Sequence, residues 1–349
     1  MNRLWISIVT VLLAVSCVTG VTPPEPTKMV KIKGGLFLFG DEAPCYNANE
    51  TPKSCKDAFG MPSTYPAVKV DVAPFLIEQH EVTNLQYRHC VELGGCREPK
   101  YFNTLGIEDY YGNPLYDDFP VVNVTLDMAR EYCNFHGRRL PTEVEWERAA
   151  VGQATTAERK RPWPISDPNI DINKCDREAY RVSLMFCTGI SSPAKVMSSI
   201  DDLIVENGEH IYDMTGNVSE WVEGYFKADM TCKESLPDEC VCLKCATPNC
   251  KETCYTTCSE CEENDNCFGV CASEYSPKGL PVCIAYSEVV DARELVPERG
   301  NERLLKGGNC QVTKQQTCRA RATDRFFHVH LEASNPVYGF RCADYSDDI

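Results

Sequence analysis

The sequence has few basic residues, 35 Lys and Arg against 51 Asp and Glu, which gives a formal net charge of -16 and a pI near 4.9. No long run of Lys and Arg occurs along the 349 residues. Binding to nucleic acid depends on clustered cations that displace counterions from phosphates. We therefore exclude a nucleic-acid partner. The sequence also contains neither an internal repeat nor a glycine-rich phosphate loop.

The sequence lacks an apolar stretch long enough to cross a membrane as a helix, which takes about 20 residues. Its N-terminal apolar stretch, Leu4 to Val15, is shorter, follows Arg3 and is followed by small residues. These features are typical of a secretory signal. The end of the stretch, "LLAVSC", resembles a bacterial lipobox. We predict that residues 1–17 form a lipoprotein signal peptide and that Cys17 is lipidated.

Lipidation at Cys17 would make the membrane a partner of the protein through an N-terminal lipid anchor. Valine at position 18 favours transfer to the outer membrane, so we expect a protein of the bacterial cell envelope. Residues 18–28 contain three prolines and are expected to form an extended tether. The alternative is an ordinary signal peptide cut near Ser16 or Gly20, which would give a secreted protein.

Cysteine is plentiful, with 22 residues. Together with an export signal this predicts an oxidising compartment and a disulfide framework. Eleven of the cysteines fall in residues 231–283, where large apolar residues are few. Such a segment cannot build a core of its own, so we interpret it as a disulfide-stapled insertion. Zinc is the alternative, because "CVCLKC" and "CSEC" could supply closely spaced thiolate ligands.

A first short helix is predicted between a threonine cap and a pair of glycines. Thr83 and Gln86 have the spacing of a capping box, and the helix is expected to stop at Gly94. Cys90 and Cys96 would then join the end of the helix to the following loop by a disulfide.

Two further helices are predicted in the middle of the chain. The first should span residues 126–135 after Thr125, and the second should follow a capping box of Thr142 and Glu145, with Trp146 as a core residue. Elsewhere the sequence indicates short strands and long loops rich in Gly, Pro, Asn and Asp. The predicted fold class is therefore α+β.

Seven separated motifs carry a family resemblance: "MVKIKGGLFLFGDE", "PFLIEQHEVTNLQYRHCVE", "FPVVNVTLDMAREYCNFHGRRLPTEVEWERAA", "RPWPISDP", "IYDMTGNVSEWVEGYF", "RLLKGGN" and "YGFRCA". Together they resemble the sulfatase-modifying factor family, whose founding activity is that of the formylglycine-generating enzyme. The resemblance covers residues 29–345 and is interrupted by the insertion at 231–283. It implies a variant of the C-type lectin-like fold with few regular elements and many loops.

The resemblance also implies a disulfide and a metal site. A bridge of the family maps onto Cys133 and Cys342. Family members bind calcium near "GNVSEWV", where Asn217 and Glu220 would place two oxygen ligands on one loop. Calcium is therefore the expected cofactor. The alternative is that these side chains brace an irregular loop by hydrogen bonds to the backbone.

In the aerobic enzyme, as the resemblance implies, two cysteines five apart hold copper(I), an ion that prefers soft thiolate ligands. Counting forward from Gly307 without a gap puts these positions on Val312 and Thr317. In the same register, three downstream arginines align with the family pattern, at positions 319, 321 and 325. A second family bridge maps onto Ala150 and Ala322, so both of its cysteines are missing together. The resemblance therefore implies a member without the copper-binding pair.

Cys310 and Cys318 lie close to those two positions, two residues before the first and one residue after the second. On a strand, a displacement of one residue turns a side chain to the opposite face. We therefore predict that Cys310 and Cys318 form a disulfide that closes a hairpin. The alternative is a relocated redox or copper pair.

The favoured function is an extracytoplasmic, lipid-anchored binding or accessory protein without oxidase activity, whose partner is an unknown protein or cell-surface ligand. The alternative is a formylglycine-generating-type oxidoreductase that acts on protein cysteine through Cys310 and Cys318, with copper as cofactor. A different reaction is a third reading. Relatives described as nonheme-iron enzymes carry their iron-binding histidine motif in a separate domain, which we do not find in these 349 residues.

Overall fold

The computed structural model describes residues 24–40, 67–156, 159–161, 163–165, 192–199, 203–226, 232–233, 240–245, 267–271, 282–283, 289–296, 302–310, 322–323, 325, 328–330 and 332–346. These ranges include the three predicted helices and the end of the "RLLKGGN" motif. The predictions for residues 1–17, Val312, Thr317 and Cys318 lie outside them.

Three α-helices form where the caps predict them: α1 Asn84–Glu92, α2 Leu126–Phe135 and α3 Glu143–Val151. Both predicted capping boxes are present, since Thr83 and Thr142 each exchange hydrogen bonds with the third residue of the helix that follows. Two short 3₁₀ helices span Pro114–Tyr116 and Ala292–Leu295. Within the described ranges no helix is long and apolar enough to span a bilayer.

The strands are short: β1 Met29–Ile32, β2 Gly35–Phe39, β3 Val68–Val72, β4 Phe75–Glu78, β5 Leu203–Glu206, β6 Glu209–Tyr212, β7 Ser219–Trp221, β8 Cys232–Lys233, β9 Cys240–Cys245, β10 Cys267–Cys271, β11 Val282–Cys283, β12 Val289–Asp291, β13 Glu302–Lys306, β14 His328–His330, β15 Tyr338–Gly339 and β16 Ala343–Tyr345. Small sheets with the orders β1-β4-β16, β12-β3-β2 and β14-β13-β7-β15 account for most of them, and β5-β6, β8-β11 and β9-β10 form two-stranded pairs. Short strands, three helices and long loops confirm the predicted α+β fold class.

Strand β7 lies in the middle of the four-stranded sheet and carries the candidate site. It pairs antiparallel with β13, which places Glu220 opposite Lys306, and parallel with β15, which places Glu220 opposite Gly339. Residues on β7 are therefore covered by strands that come from distant parts of the sequence.

Two hydrophobic cores meet at this sheet. One combines β1 to β4 with helix α3 and contains Trp146, while the other combines α1 and α2 with Trp221 and Phe340. Both tryptophans are fully buried. Burial of Trp146, which the helix pattern predicts as a core residue, is confirmed.

Two predicted disulfides are formed. Cys90 and Cys96 are joined across the end of α1 with their Cα atoms 5.4 Å apart. Cys133 of α2 and Cys342 are joined with their Cα atoms 5.6 Å apart. The second bridge links positions 209 residues apart in sequence, so it fixes the C-terminal segment against α2.

Candidate functional site

The candidate site lies where strand β13 ends against strand β7. Gly307 and Gly308 have φ angles of 86° and 70°, a region that favours glycine. A Cβ atom on Gly307 would lie 3.2 Å from the Trp146 ring. After this turn, Ser219 Oγ donates a hydrogen bond to Gly308 O at 2.9 Å. The Gly-Gly motif thus folds the chain closely over β7 and leads directly to Cys310.

Cys310 lies in an apolar pocket formed with Leu105, Ala194 and Val337, which we call the thiol pocket. Cys310 is 4% exposed, and its N–H donates to Asn217 O at 3.0 Å. Among the described cysteines outside the two disulfides, Cys310 carries a free thiol. Burial raises the pKa of this thiol to about 12. Cys310 is therefore a neutral, apolar side chain at ordinary pH.

The prediction of a disulfide at Cys310 is wrong in this structure, because Cys310 is a free thiol. The prediction assumed that Cys310 lies on a strand of a hairpin. Strand β13 ends at Lys306, and the turn that follows carries Cys310 into the thiol pocket. The same burial disfavours the alternative. Copper(I) binds thiolates, and the raised pKa of Cys310 makes its thiolate harder to form than that of an ordinary cysteine.

Glu220 lies at the centre of a buried ionic group, which we call the Glu220 brace and define as Glu220, Arg341 and Trp146. Arg341 donates to both carboxylate oxygens of Glu220, from Nη2 at 2.6 Å and from Nε at 2.7 Å. Trp146 Nε1 donates to Glu220 Oε2 at 2.9 Å. Burial alone would lower the pKa of Arg341, but the carboxylates of Glu220, Glu81 and Asp213 together more than offset this and the pKa is raised. Arg341 therefore keeps its charge.

Arg341 also joins the loops around the site. Its Nη2 donates to Tyr212 O at 2.9 Å and to Asp213 O at 3.2 Å, and its Nη1 donates to Glu78 O at 3.3 Å. The sequence motifs do not predict Arg341 as a partner of Glu220. Its place in "GFRC", directly before Cys342 of a predicted disulfide, was the available signal.

Asn217 and Glu220 do not converge on one cation. Asn217 Oδ1 accepts from Ala194 N at 2.9 Å, and its Nδ2 donates to Glu81 Oε2 at 3.2 Å. Glu220 is occupied by Arg341 and Trp146. These contacts are those of a brace, and the two side chains do not fit a calcium site that they would share. Calcium binding by Asn217 and Glu220 stays a prediction, and it would require both side chains to release these partners.

Two further carboxylates lie beside the brace. Asp213 is buried and its Oδ2 accepts from Met197 N at 2.7 Å. Burial raises the pKa of Asp213 to about 6, although the bond from Met197 and the nearby Arg341 oppose the shift. Glu81 is buried as well. Arg341 therefore faces more than one carboxylate. Within the described part of the chain, no group of three or more His, Cys, Asp or Glu residues is arranged to hold a metal ion.

Helix α3 holds a second set of buried charges. Arg325, the described member of the three aligned arginines, lies with its Nε 2.7 Å from Glu143 Oε1. Lys306 Nζ lies 3.6 Å from carboxylate oxygens of both Glu143 and Glu147, and Lys160 Nζ lies 2.7 Å from Glu147. This arginine of the family pattern therefore contacts the scaffold through an ion pair.

Val312 and Thr317, the positions where the resemblance places copper-binding cysteines, follow the thiol pocket and lie outside the described residues. Ala150 and Ala322, where the same register places the second family bridge, are both fully buried and belong to the same hydrophobic core.

The fold and the site define an α+β domain with a formylglycine-generating-enzyme-like fold. The buried ion pair of Glu220 with Arg341 and the disulfide at Cys342 are both formed. Residues 18–345 match the sulfatase-modifying factor enzyme 1-like domain. The chain belongs to this family, as the motifs indicated.

Curated relatives carry several names. A protein named serine/threonine-protein kinase pkn1 from Chlamydia caviae is 31% identical over 218 residues, which cover 59% of this chain and 29% of that protein. The formylglycine-generating enzyme of Thermomonospora curvata is 27% identical over 252 residues, which cover 61% of this chain and 77% of that enzyme. A protein from Bos taurus named inactive C-alpha-formylglycine-generating enzyme 2 is 25% identical over 255 residues, which cover 58% of this chain and 73% of that protein. The chain spans less than a third of the length of the first of these relatives.

Among solved structures, Treponema denticola variable protein 1 superposes with a TM-score of 0.52 at 16% sequence identity, over 91% of this chain and 95% of that one. At this identity the likeness concerns the fold alone.

Proposed function

We propose that the protein is a lipid-anchored, extracytoplasmic member of the family that binds a protein or cell-surface ligand and does not oxidise cysteine. The family membership leaves this choice open, because one fold can carry different functions. The proposal therefore depends on the chemistry available where the family's copper site would lie.

The buried thiol of Cys310 carries the proposal. Copper(I) chemistry needs thiolate ligands, and Cys310 is the described cysteine beside the expected copper positions. With a pKa of about 12, about one in ten thousand Cys310 side chains of the metal-free protein would be ionised at pH 8. Its contacts with Leu105, Ala194 and Val337 are those of a core residue.

Two further observations support the proposal. Val312 and Thr317 offer a hydrocarbon and a hydroxyl where the enzyme would offer sulfur. The named inactive relative also indicates that this family includes proteins described as inactive. In contrast, the Glu220 brace retains its buried ion pair. This combination of a retained scaffold and missing ligands is expected of a binding protein.

Copper binding provides the direct test. Copper(I) is titrated anaerobically into the full mature protein in competition with a chromophoric copper(I) chelator, with the wild type and a Cys310→Ala variant side by side. The formylglycine-generating enzyme of Thermomonospora curvata is the positive control. We expect the two proteins to compete equally weakly. Stoichiometric copper binding that is lost in Cys310→Ala would contradict the proposal and restore the relocated-pair alternative.

Catalysis is tested in parallel with a sulfatase-type Cys-x-Pro-x-Arg peptide, copper and reductant. We expect no oxygen consumption above that of buffer and no mass change of the peptide cysteine to an aldehyde. Aldehyde formation that requires Cys310 would show an oxidoreductase.

The anchor is tested separately through Cys17. Expressed in a bacterium with a lipoprotein pathway, the wild type should incorporate labelled fatty acid and partition with the outer membrane, whereas Cys17→Ser should do neither. Unlabelled wild-type protein found in the medium would contradict the anchor and favour the ordinary signal peptide.

A further inference from the structure

The cysteine-rich insertion contains an ordered pattern of opposed cysteines. Strand β8 pairs antiparallel with β11, and strand β9 pairs antiparallel with β10. In these registers three cysteines each lie opposite another cysteine: Cys232 opposite Cys283, Cys240 opposite Cys271, and Cys245 opposite Cys267. Three such coincidences in two short ladders call for an explanation.

The spacing of opposed residues suits a disulfide. Residues directly opposite each other in an antiparallel pair have Cα atoms about 4.5–5.5 Å apart, and disulfides join Cα atoms about 4.4–6.8 Å apart. The two disulfides formed elsewhere in the chain have Cα separations of 5.4 and 5.6 Å. Opposition in the ladder therefore places the Cα atoms within the range of separations that a disulfide spans.

A β-bulge reconciles the unequal cysteine spacings on the two strands. Cys240 and Cys245 are five positions apart, whereas Cys267 and Cys271 are four positions apart. A regular ladder could therefore oppose only one of the two pairs. The register shifts between Phe268 and Gly269, where Leu243 of β9 has no opposed residue in β10. This extra residue on β9 brings both cysteine pairs into opposition.

We propose that the insertion is closed by three nested disulfides, Cys232–Cys283, Cys240–Cys271 and Cys245–Cys267. The disulfides are nested because the paired strands β9 and β10 lie in the sequence between the paired strands β8 and β11. Each bond forms by thiol–disulfide exchange, in which two cysteine thiols lose two protons and two electrons, and a disulfide-bearing oxidant is reduced to its dithiol. The described strands of the insertion are then joined by disulfides, which leaves Cys242 as the one cysteine of "CVCLKC" that could still bind zinc.

Cys242 provides an internal control. It lies opposite Gly269, so the ladder offers it no cysteine partner. The inference thus distinguishes six cysteines that lie opposite a cysteine from one, Cys242, that lies opposite a glycine. It is independent of what the domain binds.

The test is disulfide mapping of the exported wild-type protein. Free thiols are alkylated at acidic pH, the protein is digested without reduction, and linked peptides are identified by mass spectrometry. We expect the three proposed linkages. A different partner for any of the six cysteines overturns the proposal, and so do six unlinked thiols, whether or not zinc is bound.

Paired variants sharpen the map by counting thiols after unfolding without reductant. Cys240→Ser should expose one additional thiol on Cys271, and the matched double variant Cys240→Ser with Cys271→Ser should return to the wild-type count. The mismatched double variant Cys240→Ser with Cys267→Ser should expose two additional thiols. Cys242→Ser should leave the three linkages unchanged. Equal counts for the matched and mismatched double variants would overturn the pairing. Mapping of the wild type stands alone if a variant fails to fold.

Discussion

The Glu220 brace and the thiol pocket lie along the same pair of strands, yet they keep their ionisable groups in opposite states. In the brace, both oxygens of Glu220 accept hydrogen bonds from Arg341, so a buried charge pair is maintained. In the thiol pocket, Cys310 has apolar neighbours and holds its proton. The two regions show how a burial cost is met either by a partner or by neutralisation.

This difference separates the scaffold of the family from its chemistry. The brace needs Trp146 from α3, Glu220 from β7 and Arg341 from the C-terminal segment, so it joins three parts of the domain. The thiol pocket contributes packing shortly before Val312 and Thr317, the positions that the resemblance assigns to copper-binding cysteines. A chain can therefore belong to the family by its scaffold without cysteine at those two positions.

The largest effect is expected from removing the disulfide that holds the brace segment. Cys133→Ala with Cys342→Ala opens a link between positions 209 apart, which should lower the free energy of unfolding by about 5 kcal/mol on the loop-entropy model. The matched control, Cys90→Ala with Cys96→Ala, opens a link between positions six apart and should cost about 2 kcal/mol. Urea denaturation measures both. Equal losses of unfolding free energy in the two double variants would show that loop length does not determine how much each disulfide stabilises the protein.

The next largest effect is expected from breaking the brace itself. Arg341→Met leaves the buried Glu220 without a counter-charge, so the free energy of unfolding should fall by about 3–5 kcal/mol. Lys195→Met is the matched control, because it removes a cation whose side chain is 57% exposed from a pair with Asp118, 59% exposed, and should change stability by less than about 1 kcal/mol. A loss below 1 kcal/mol in Arg341→Met would indicate that the charge pair contributes little.

A smaller effect distinguishes the thiol pocket from a disulfide. Cys310→Ser places a hydroxyl among apolar groups and should cost about 1–3 kcal/mol, whereas Cys310→Ala leaves no polar group and should cost less. If Cys310 formed a disulfide, both variants would also lose the cross-link, and Cys310→Ala would then cost about 2 kcal/mol or more. Denaturation of the two variants beside the wild type decides between these readings.

The smallest effect concerns alkaline pH. The pKa of Cys310 rises from an ordinary value near 9 to about 12 in the folded protein. Above pH 9 the unfolded chain therefore loses this proton and the folded chain keeps it, so the stabilisation is complete below pH 9 and declines as the pH rises towards 12.

Relative to Cys310→Ala, the wild type should lose up to about 1.4 kcal/mol for each pH unit above 9. Unfolding free energies measured at pH 8, 9 and 10 in both proteins give the comparison, because tyrosine ionisation is common to them. Parallel curves would show that Cys310 titrates normally.

Local features were predictable from the sequence because they depend on neighbouring residues. The threonine caps of α1, α2 and α3 form as expected, and α2 has its predicted bounds of Leu126–Phe135. The two disulfides that were expected from a helix end and from the family resemblance are formed. In these cases a short-range geometric rule or a shared motif was enough.

The site was less predictable because its partners come from distant segments. Glu220 and Arg341 are 121 positions apart, and no local sequence pattern predicts their contact. Cys310 was assigned to a hairpin staple from its spacing alone, but its neighbours Leu105, Ala194 and Val337 come from three separate loops. Spacing along a strand cannot reveal whether another loop covers the side chain.

The sequence by itself determined the family, the fold class and the absence of cysteine at Val312 and Thr317, because these follow from residue identities and their order. Only the tertiary structure decided that Glu220 forms an ion pair with Arg341 and that Cys310 is a buried, protonated thiol. Ionisation and reactivity depend on the dielectric environment and on nearby charges, and those are created when distant segments pack together.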